Sequence, residues 1–190
     1  MILKNLCLFS WNVYKNRTLP DIILENNKEF DILFIQKPSW SFIQTVPSST
    51  SEEGEKVVDV SNYLDWVTFS RQLSNVNDHP RISTYINVWL SYMYFSLRKD
   101  IFDYSDINYF FFFNNSSIFF LINVYSDEHQ SVLNYLKNTE AYIRNVLAMA
   151  RDFNIRDKNW DPWYPFHSFH SDSLMEITDS FELKLSSPIH

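Results

Sequence analysis

The sequence predicts a layered α/β domain, with two sheets packed face to face and helices outside them, on three observations. Short apolar runs rich in β-branched and aromatic residues recur along the chain. A few stretches between them carry the three-to-four-residue spacing of amphipathic helices. The strands come as a block in the middle instead of alternating with helices throughout, which favours a sandwich of sheets over a doubly wound sheet. At 190 residues the chain suits one domain with a proper core.

Taken in order, residues 6–13 read as a buried strand ending in Trp11-Asn12-Val13. Residues 17–27 have helical spacing through Leu19, Ile22 and Ile23. Pro20 and Asp21 fall in the first turn, where a missing N–H and a negative charge are both favourable. Residues 31–36 form a short continuous apolar run of the kind buried inside a sheet, followed by a polar turn at Lys37-Pro38. Residues 41–60, rich in Ser and Glu, are expected to be a loop. Strands are expected at 66–70, 81–88, 92–97, 107–113, 117–125 and 143–150, with a helix at 130–139. A long aromatic and polar loop spans 151–171, and Leu174, Ile177 and Phe181 give 172–181 helical spacing. There is no internal repeat.

Composition narrows the function classes. Apolar residues make up 45% and charged residues 21%, as in ordinary globular proteins. The single cysteine, Cys7, excludes a disulfide framework and a CxxC metal site, and suits a reducing compartment. The opening residues lack a secretory signal pattern, and neither 109–113 nor 118–122 approaches the roughly 20 apolar residues of a membrane helix. The expectation is an intracellular protein that is not secreted and has no membrane partner. A net charge of −7 argues against a dedicated nucleic-acid binder with a basic face. It leaves a metal-dependent nuclease open, because bound cations offset phosphate repulsion locally. Gly54 is the only glycine, where average usage would give about 13. Alanine is also scarce while Phe, Asn, Ile and Tyr abound, a bias that follows AT-rich codons.

Sites in layered α/β folds gather where strands end. Four such ends stand out: Ser10-Trp11-Asn12-Val13, Phe34-Ile35-Gln36-Lys37-Pro38, Ile122-Asn123-Val124-Tyr125-Ser126 and Arg151-Asp152-Phe153-Asn154. Singly, each also fits a turn cap or an Asx-turn. Their order and spacing resemble the endonuclease/exonuclease/phosphatase (DNase I-like) family, and in particular the endonuclease domain encoded beside reverse transcriptase in fungal non-LTR retrotransposons. In that group the ordered motifs are N-V, Q-E-P, R-x-x-x-Y-I, N-V-Y, G-D-F-N and W-D-P, followed by a helix. The matching stretches are Asn12-Val13, Gln36-Lys37-Pro38, Arg81 to Ile86, Asn123-Val124-Tyr125, Arg151 to Asn154 and Trp160-Asp161-Pro162, then the helix from Asp172. The resemblance runs from about residue 8 to the C-terminus.

That resemblance implies a four-layer α/β/β/α sandwich and a divalent-metal-dependent DNA endonuclease, with Mg2+ or Mn2+ as the metal. It also implies a reverse transcriptase domain in the full-length element, nuclear action and a monomer. By the same resemblance Asn12 orients a metal ligand, Asp152 helps activate the attacking water, Asn154 holds phosphate and Tyr85 contacts the scissile phosphate. Asn123 and Tyr125 fall among the substrate-binding positions. The metal lowers the barrier by neutralising charge on the phosphate oxygens and the leaving group.

The sequence departs from that pattern where the chemistry is most demanding. Lys37 stands at the position of the family's metal-binding glutamate. An ammonium cannot ligate a cation, and like unit charges 4 Å apart repel by roughly 4 kcal/mol at an effective dielectric of 20. Arg151 replaces the glycine before D-F-N, where close backbone approach is needed. The family's closing S-D-H is not found, so the domain is expected to be C-terminally truncated across 1–190, lacking its last strands. Glu-to-Lys and Gly-to-Arg are each reachable by one G-to-A change, so the losses together point to a degenerate copy with impaired or no activity. A non-catalytic DNA-binding or interaction module on the same scaffold is the alternative. A third reading recruits Asp127, Asp157 or Asp161 to a rearranged metal site. His167 and His170 lack the partners of a zinc site and are expected to serve loop packing. Trp160, Trp163 and Tyr164 are expected to pack down on the sandwich.

Overall fold

The computed structural model describes residues 6–16, 18–26, 29–39, 42–46, 55–59, 63–70, 80–114, 117–127, 129–139, 146–152, 155, 157–158 and 163–183. The first sheet takes β1 (Leu8–Asn12), β2 (Ile32–Gln36), β5 (Trp66–Phe69) and β6 (Ile82–Asn87), in the spatial order β1-β2-β6-β5. The second takes β7 (Tyr94–Leu97), β8 (Ile107–Asn114), β9 (Ser117–Tyr125) and β10 (Val146–Asp152), in the order β10-β9-β8-β7. Helix α1 (Thr18–Asn26) joins β1 to β2, helix α2 (Ser131–Thr139) lies between β9 and β10, and helix α3 (Phe169–Ser180) follows β10. Among the described residues, no helix is long and apolar enough to cross a membrane.

Three apolar clusters show the layering. Leu33, Ile35, Trp66 and Tyr85 pack with Val13 and Leu24 of the α1 side. Ile32, Phe34 and Ile86 meet Phe110, Phe112, Phe119 and Leu121 between the sheets. Ile107, Tyr109, Ile122 and Val124 pack under Val132, Leu133 and Leu136 of α2 and Leu174 and Ile177 of α3. Strand side chains alternate between faces, so β2 sends residues 32 and 34 inward and residues 33 and 35 toward α1. With both faces covered, β2 is a continuous apolar run, and all five of its residues are buried. The indole N–H of Trp66 donates to the Leu24 carbonyl at 3.0 Å, fixing α1 on the sheet.

Three expectations need correction. Within 41–60, β3 (Phe42–Val46) and β4 (Glu55–Asp59) pair antiparallel as a separate two-stranded sheet. Phe42-Ile43 with Thr45-Val46, and Val57-Val58, are short runs of strand formers that the Ser/Glu-rich stretch between them masked. Helix α3 begins at Phe169 instead of 172. Its apolar periodicity starts only at Leu174, whereas its first turn is fixed by polar contacts to Asp157 that spacing does not reveal. Strand β10 also runs on to Asp152, so residues 151 and 152 belong to a strand and not to the expected loop.

Candidate functional site

Each sheet contains one parallel pair joined through a helix: β1–α1–β2 in the first and β9–α2–β10 in the second. Parallel strands release their carboxyl ends side by side, and such ends are where α/β folds build sites. Gln36 at the end of β2 donates from Nε2 to Asn123 Oδ1 at 3.0 Å, a bond buried between the sheets. Both units therefore present their ends at the same end of the sandwich. Asn12, Lys37 and Tyr125 gather there, together with the backbone of Asp152, which pairs opposite Tyr125. The starts of the antiparallel strands β6 and β8 arrive at the same end and bring Arg81 and Asp106. The Lys37 N–H donates to the Arg81 carbonyl at 2.8 Å, and the Tyr125 N–H donates to the Asp106 carbonyl at 3.0 Å.

The backbone here is strained. Tyr14, Lys15 and Lys37 have φ of 49°, 63° and 48°, the left-handed region that costs a residue with a Cβ roughly 1–2 kcal/mol. Two more non-glycine residues, Gln130 and Glu182, share this conformation among the described residues, so the left-handed residues concentrate at this end. The turns lock together: Lys15 N–H donates to the Lys37 carbonyl at 2.7 Å, and Val13 N–H donates to the Gln36 carbonyl at 3.0 Å. Asn12 Oδ1 accepts the Tyr14 N–H at 3.1 Å, so the carboxamide shapes the turn after β1.

The side chains set a cation among aromatic rings. Lys37 Nζ lies 5.1 Å from the centre of the Tyr14 ring and 5.2 Å from that of Tyr125. The Arg81 guanidinium lies 4.8 Å from the Tyr125 centre. Such contacts contribute about 0.5–1 kcal/mol when exposed and ~2 kcal/mol when desolvated. Arg81 grips Asp106 through a two-pronged pairing, with Nε to Oδ1 at 2.8 Å and a second bond from its terminal nitrogen to Oδ2. Asp127 lies 3.5 Å from its other terminal nitrogen. Burial opposes the Arg81 charge, but the Asp106 hydrogen bond and the surrounding carboxylates outweigh it and raise its pKa. Burial likewise opposes ionised Asp127. Hydrogen bonds from the Ser131 N–H and hydroxyl, with the Arg81 and His129 charges, nevertheless hold its carboxyl below the ordinary aspartate value.

Several site expectations meet a different placement. Tyr85 is buried at 2% exposure among Val13, Leu24 and Trp66, opposite Leu33 and on the α1 face. It stands away from the strand ends because odd and even residues of β6 face opposite ways, so the structure does not bring it into this cluster. Asn123 is fully buried, donating to the Ser83 carbonyl (3.0 Å) and Thr84 Oγ1 (3.1 Å) while accepting from Gln36. That makes it a tie between the sheets and not a group facing a ligand. Asn154 and the Trp160-Asp161-Pro162 segment lie outside the described residues, as do the side chains of Arg151 and Asp152.

The recruited-carboxylate reading fails at Asp157. It is completely buried and accepts from Ser168 N–H and Ser171 Oγ, each at 2.7 Å, with His167 Nδ1 at 2.9 Å. His167 Nε2 is 2.9 Å from Asp172, so this histidine ties the loop to the start of α3. Of the aromatic residues expected to pack down, Trp163 is instead 92% exposed, Tyr164 is half-buried and edge-on to Phe166, and Trp160 lies outside the described residues. A polar anchor holds the segment and leaves the Trp163 and Phe166 rings outside. Sequence reasoning missed Tyr14 and Asp106. Tyr14 directly follows the Asn12-Val13 strand end, and Asp106 directly precedes a strand, so strand-end position was the available signal.

Among the described residues, which do not include the Asp152 side chain, the donor set does not fit a hard divalent cation, which wants carboxylate oxygens. Lys37 brings a positive charge, Asp106 and Asp127 are held by Arg81, and Asp157 is buried elsewhere. Among the described residues no three His, Cys, Asp or Glu side chains converge as a metal site.

No family model matches the sequence, and no curated protein matches it. The structure is similar to the endonuclease domain of TRAS1, a telomere-specific non-LTR retrotransposon. The TM-score is 0.55 and the identity 12%, over 90% of this chain and 68% of that one. With its two mixed sheets enclosed by α1 on one side and α2 and α3 on the other, the chain has the DNase I-like sandwich fold of that endonuclease domain.

Proposed function

We propose that the chain is a nucleic-acid-binding domain of the retrotransposon-endonuclease type whose metal-dependent phosphodiester cleavage is impaired or lost. Lys37 carries this reading. Its ammonium occupies the strand-end cluster, over Tyr14 and Tyr125, at the position where a cleaving relative is expected to carry the glutamate that binds Mg2+ or Mn2+. Mg2+ is commonly held by one or two protein carboxylates, so exchanging one for a cation removes most of the affinity. The DNase I-like sandwich supports nucleic acid as the ligand; the preference for DNA, a reverse transcriptase domain as neighbour in a full-length element, action in the nucleus and a monomeric state rest on the sequence resemblance.

The test is incubation of supercoiled plasmid with purified protein and Mg2+ or Mn2+. No nicking above buffer is expected. Nicking that disappears in an Asp152→Ala variant overturns the proposal.

A further inference from the structure

We infer that the turn after β1 and the end of β2 form a metal-independent site for one nucleotide unit of a single-stranded nucleic acid, with the base stacked on Tyr14 and the phosphate on Lys37. The inference rests on the nucleic-acid reading above but not on the loss of cleavage. Four observations support it. Tyr14 is 75% exposed, an aromatic face at the edge of the strand-end cluster. The Lys37 ammonium sits 5.1 Å from the centre of that ring, so one ligand spans a π-surface and a cation within a single nucleotide's reach. Lys15, exposed on the same turn, supplies a second cation in a chain of net charge −7. Arg81, held by Asp106 and Asp127, steadies the Tyr125 ring over which the Lys37 ammonium also sits.

The backbone makes the same point independently. Tyr14, Lys15 and Lys37 all hold left-handed φ, which none of them favours, and the Lys15 N–H to Lys37 carbonyl bond joins the two turns. Strain on the residues that present a ring and an ammonium fits a preorganised site. Stacking of a base on an exposed aromatic side chain is tolerant of sequence and needs the base out of its duplex. A single strand therefore fits this surface better than a paired one.

Anisotropy of a labelled oligothymidylate, compared with a duplex of the same length, tests the inference in EDTA and again in Mg2+. The single strand is expected to bind in EDTA, with no gain on adding Mg2+ and in preference to the duplex. Tyr14→Ala is expected to weaken binding about 5- to 150-fold, the range for loss of one stacked base. Lys37→Gln is expected to lower the slope of log affinity against log salt by about 0.7, and thymidine monophosphate to compete better than inorganic phosphate. Lys37→Gly, which suits a left-handed backbone, is expected to bind as weakly as Lys37→Gln while melting no lower than the parent, which separates ligand loss from misfolding. Trp163→Ala is expected to bind like the parent. Binding that needs Mg2+, that prefers duplex, or that survives both Tyr14→Ala and Lys37→Gln overturns the site, as does loss confined to Trp163→Ala. Plasmid nicking would sink the impaired-cleavage reading and leave this result standing.

Discussion

Strands β8 and β9 are built from opposite materials at their two ends. Near their hairpin, Phe112 stacks on Phe119 with ring centres 5.1 Å apart and planes within 3°, and Phe110 and Phe112 are fully buried between the sheets. At the other end Asn108 pairs opposite Asn123, and their amides with Gln36 and Thr84 make a buried hydrogen-bonded layer that Ser10 continues at the surface. The apolar end gains stability in proportion to the area it buries. The polar end forgoes part of that gain, because protein–protein hydrogen bonds only replace those to water. In return it holds the strand ends, and with them Lys37 and Tyr125, in one fixed arrangement. One half of the sandwich supplies stability and the other supplies geometry.

The largest test of that division is Phe112→Ala, expected to cost about 3–5 kcal/mol by leaving a cavity in a core with both faces covered. Its urea midpoint should fall far while the folded fraction still binds oligothymidylate with parental affinity. A cost below ~1 kcal/mol would contradict the assignment of stability to that end. Asn123→Ala should cost about 1–3 kcal/mol, since it removes the acceptor of Gln36 Nε2 and the donor to the Ser83 carbonyl and Thr84 inside the sandwich. Thermal melting measures the loss, and unlike Phe112→Ala this variant should also weaken oligonucleotide binding, because the two strand ends lose their tie.

A smaller effect concerns Asp127. Its folded pKa lies below the ordinary value, so its stabilisation is present above the unfolded carboxylate pKa near 3.9 and is lost as pH falls through the folded value. Urea midpoints of the parent and of Asp127→Asn should therefore differ at neutral pH and converge below about pH 4. Equal separation at all pH values would assign the residue no charge-dependent role. The smallest effect is expected at Tyr109, beside the boundary between the two halves. Its buried hydroxyl has no hydrogen-bond partner among the described residues, and burial pushes its pKa up to about 12. Tyr109→Phe should leave stability unchanged or slightly raised, since removing an unsatisfied buried polar group costs nothing. A drop of more than ~1 kcal/mol would reveal a partner for that hydroxyl.

Much of this was legible from residue order. The apolar run of β2, the helical spacing of α1 and α2 and the block of strands in the middle reflect local periodicity, which a chain carries whatever it packs against. The strand-end motifs were legible for the same reason: Asn12-Val13, Gln36-Lys37-Pro38 and Asn123-Val124-Tyr125 each sit where an apolar run stops. The sequence alone therefore determined the fold class, the strand ends as the place to look, and the positive charge at Lys37.

Only the tertiary structure decided which of those residues meet, and on which side of a sheet. Tyr85 and Thr84 are neighbours in sequence, yet pleating sends Tyr85 to the α1 face and Thr84 into the polar layer between the sheets. Asn123 has the look of a ligand-binding residue until its amide is seen bonded across the sandwich. Tyr14, Lys15 and Lys37 hold left-handed φ in two turns that a hydrogen bond between positions 15 and 37 joins. Periodicity acts over a few residues, whereas these contacts close loops of more than twenty, and their geometry exists only once two sheets have packed.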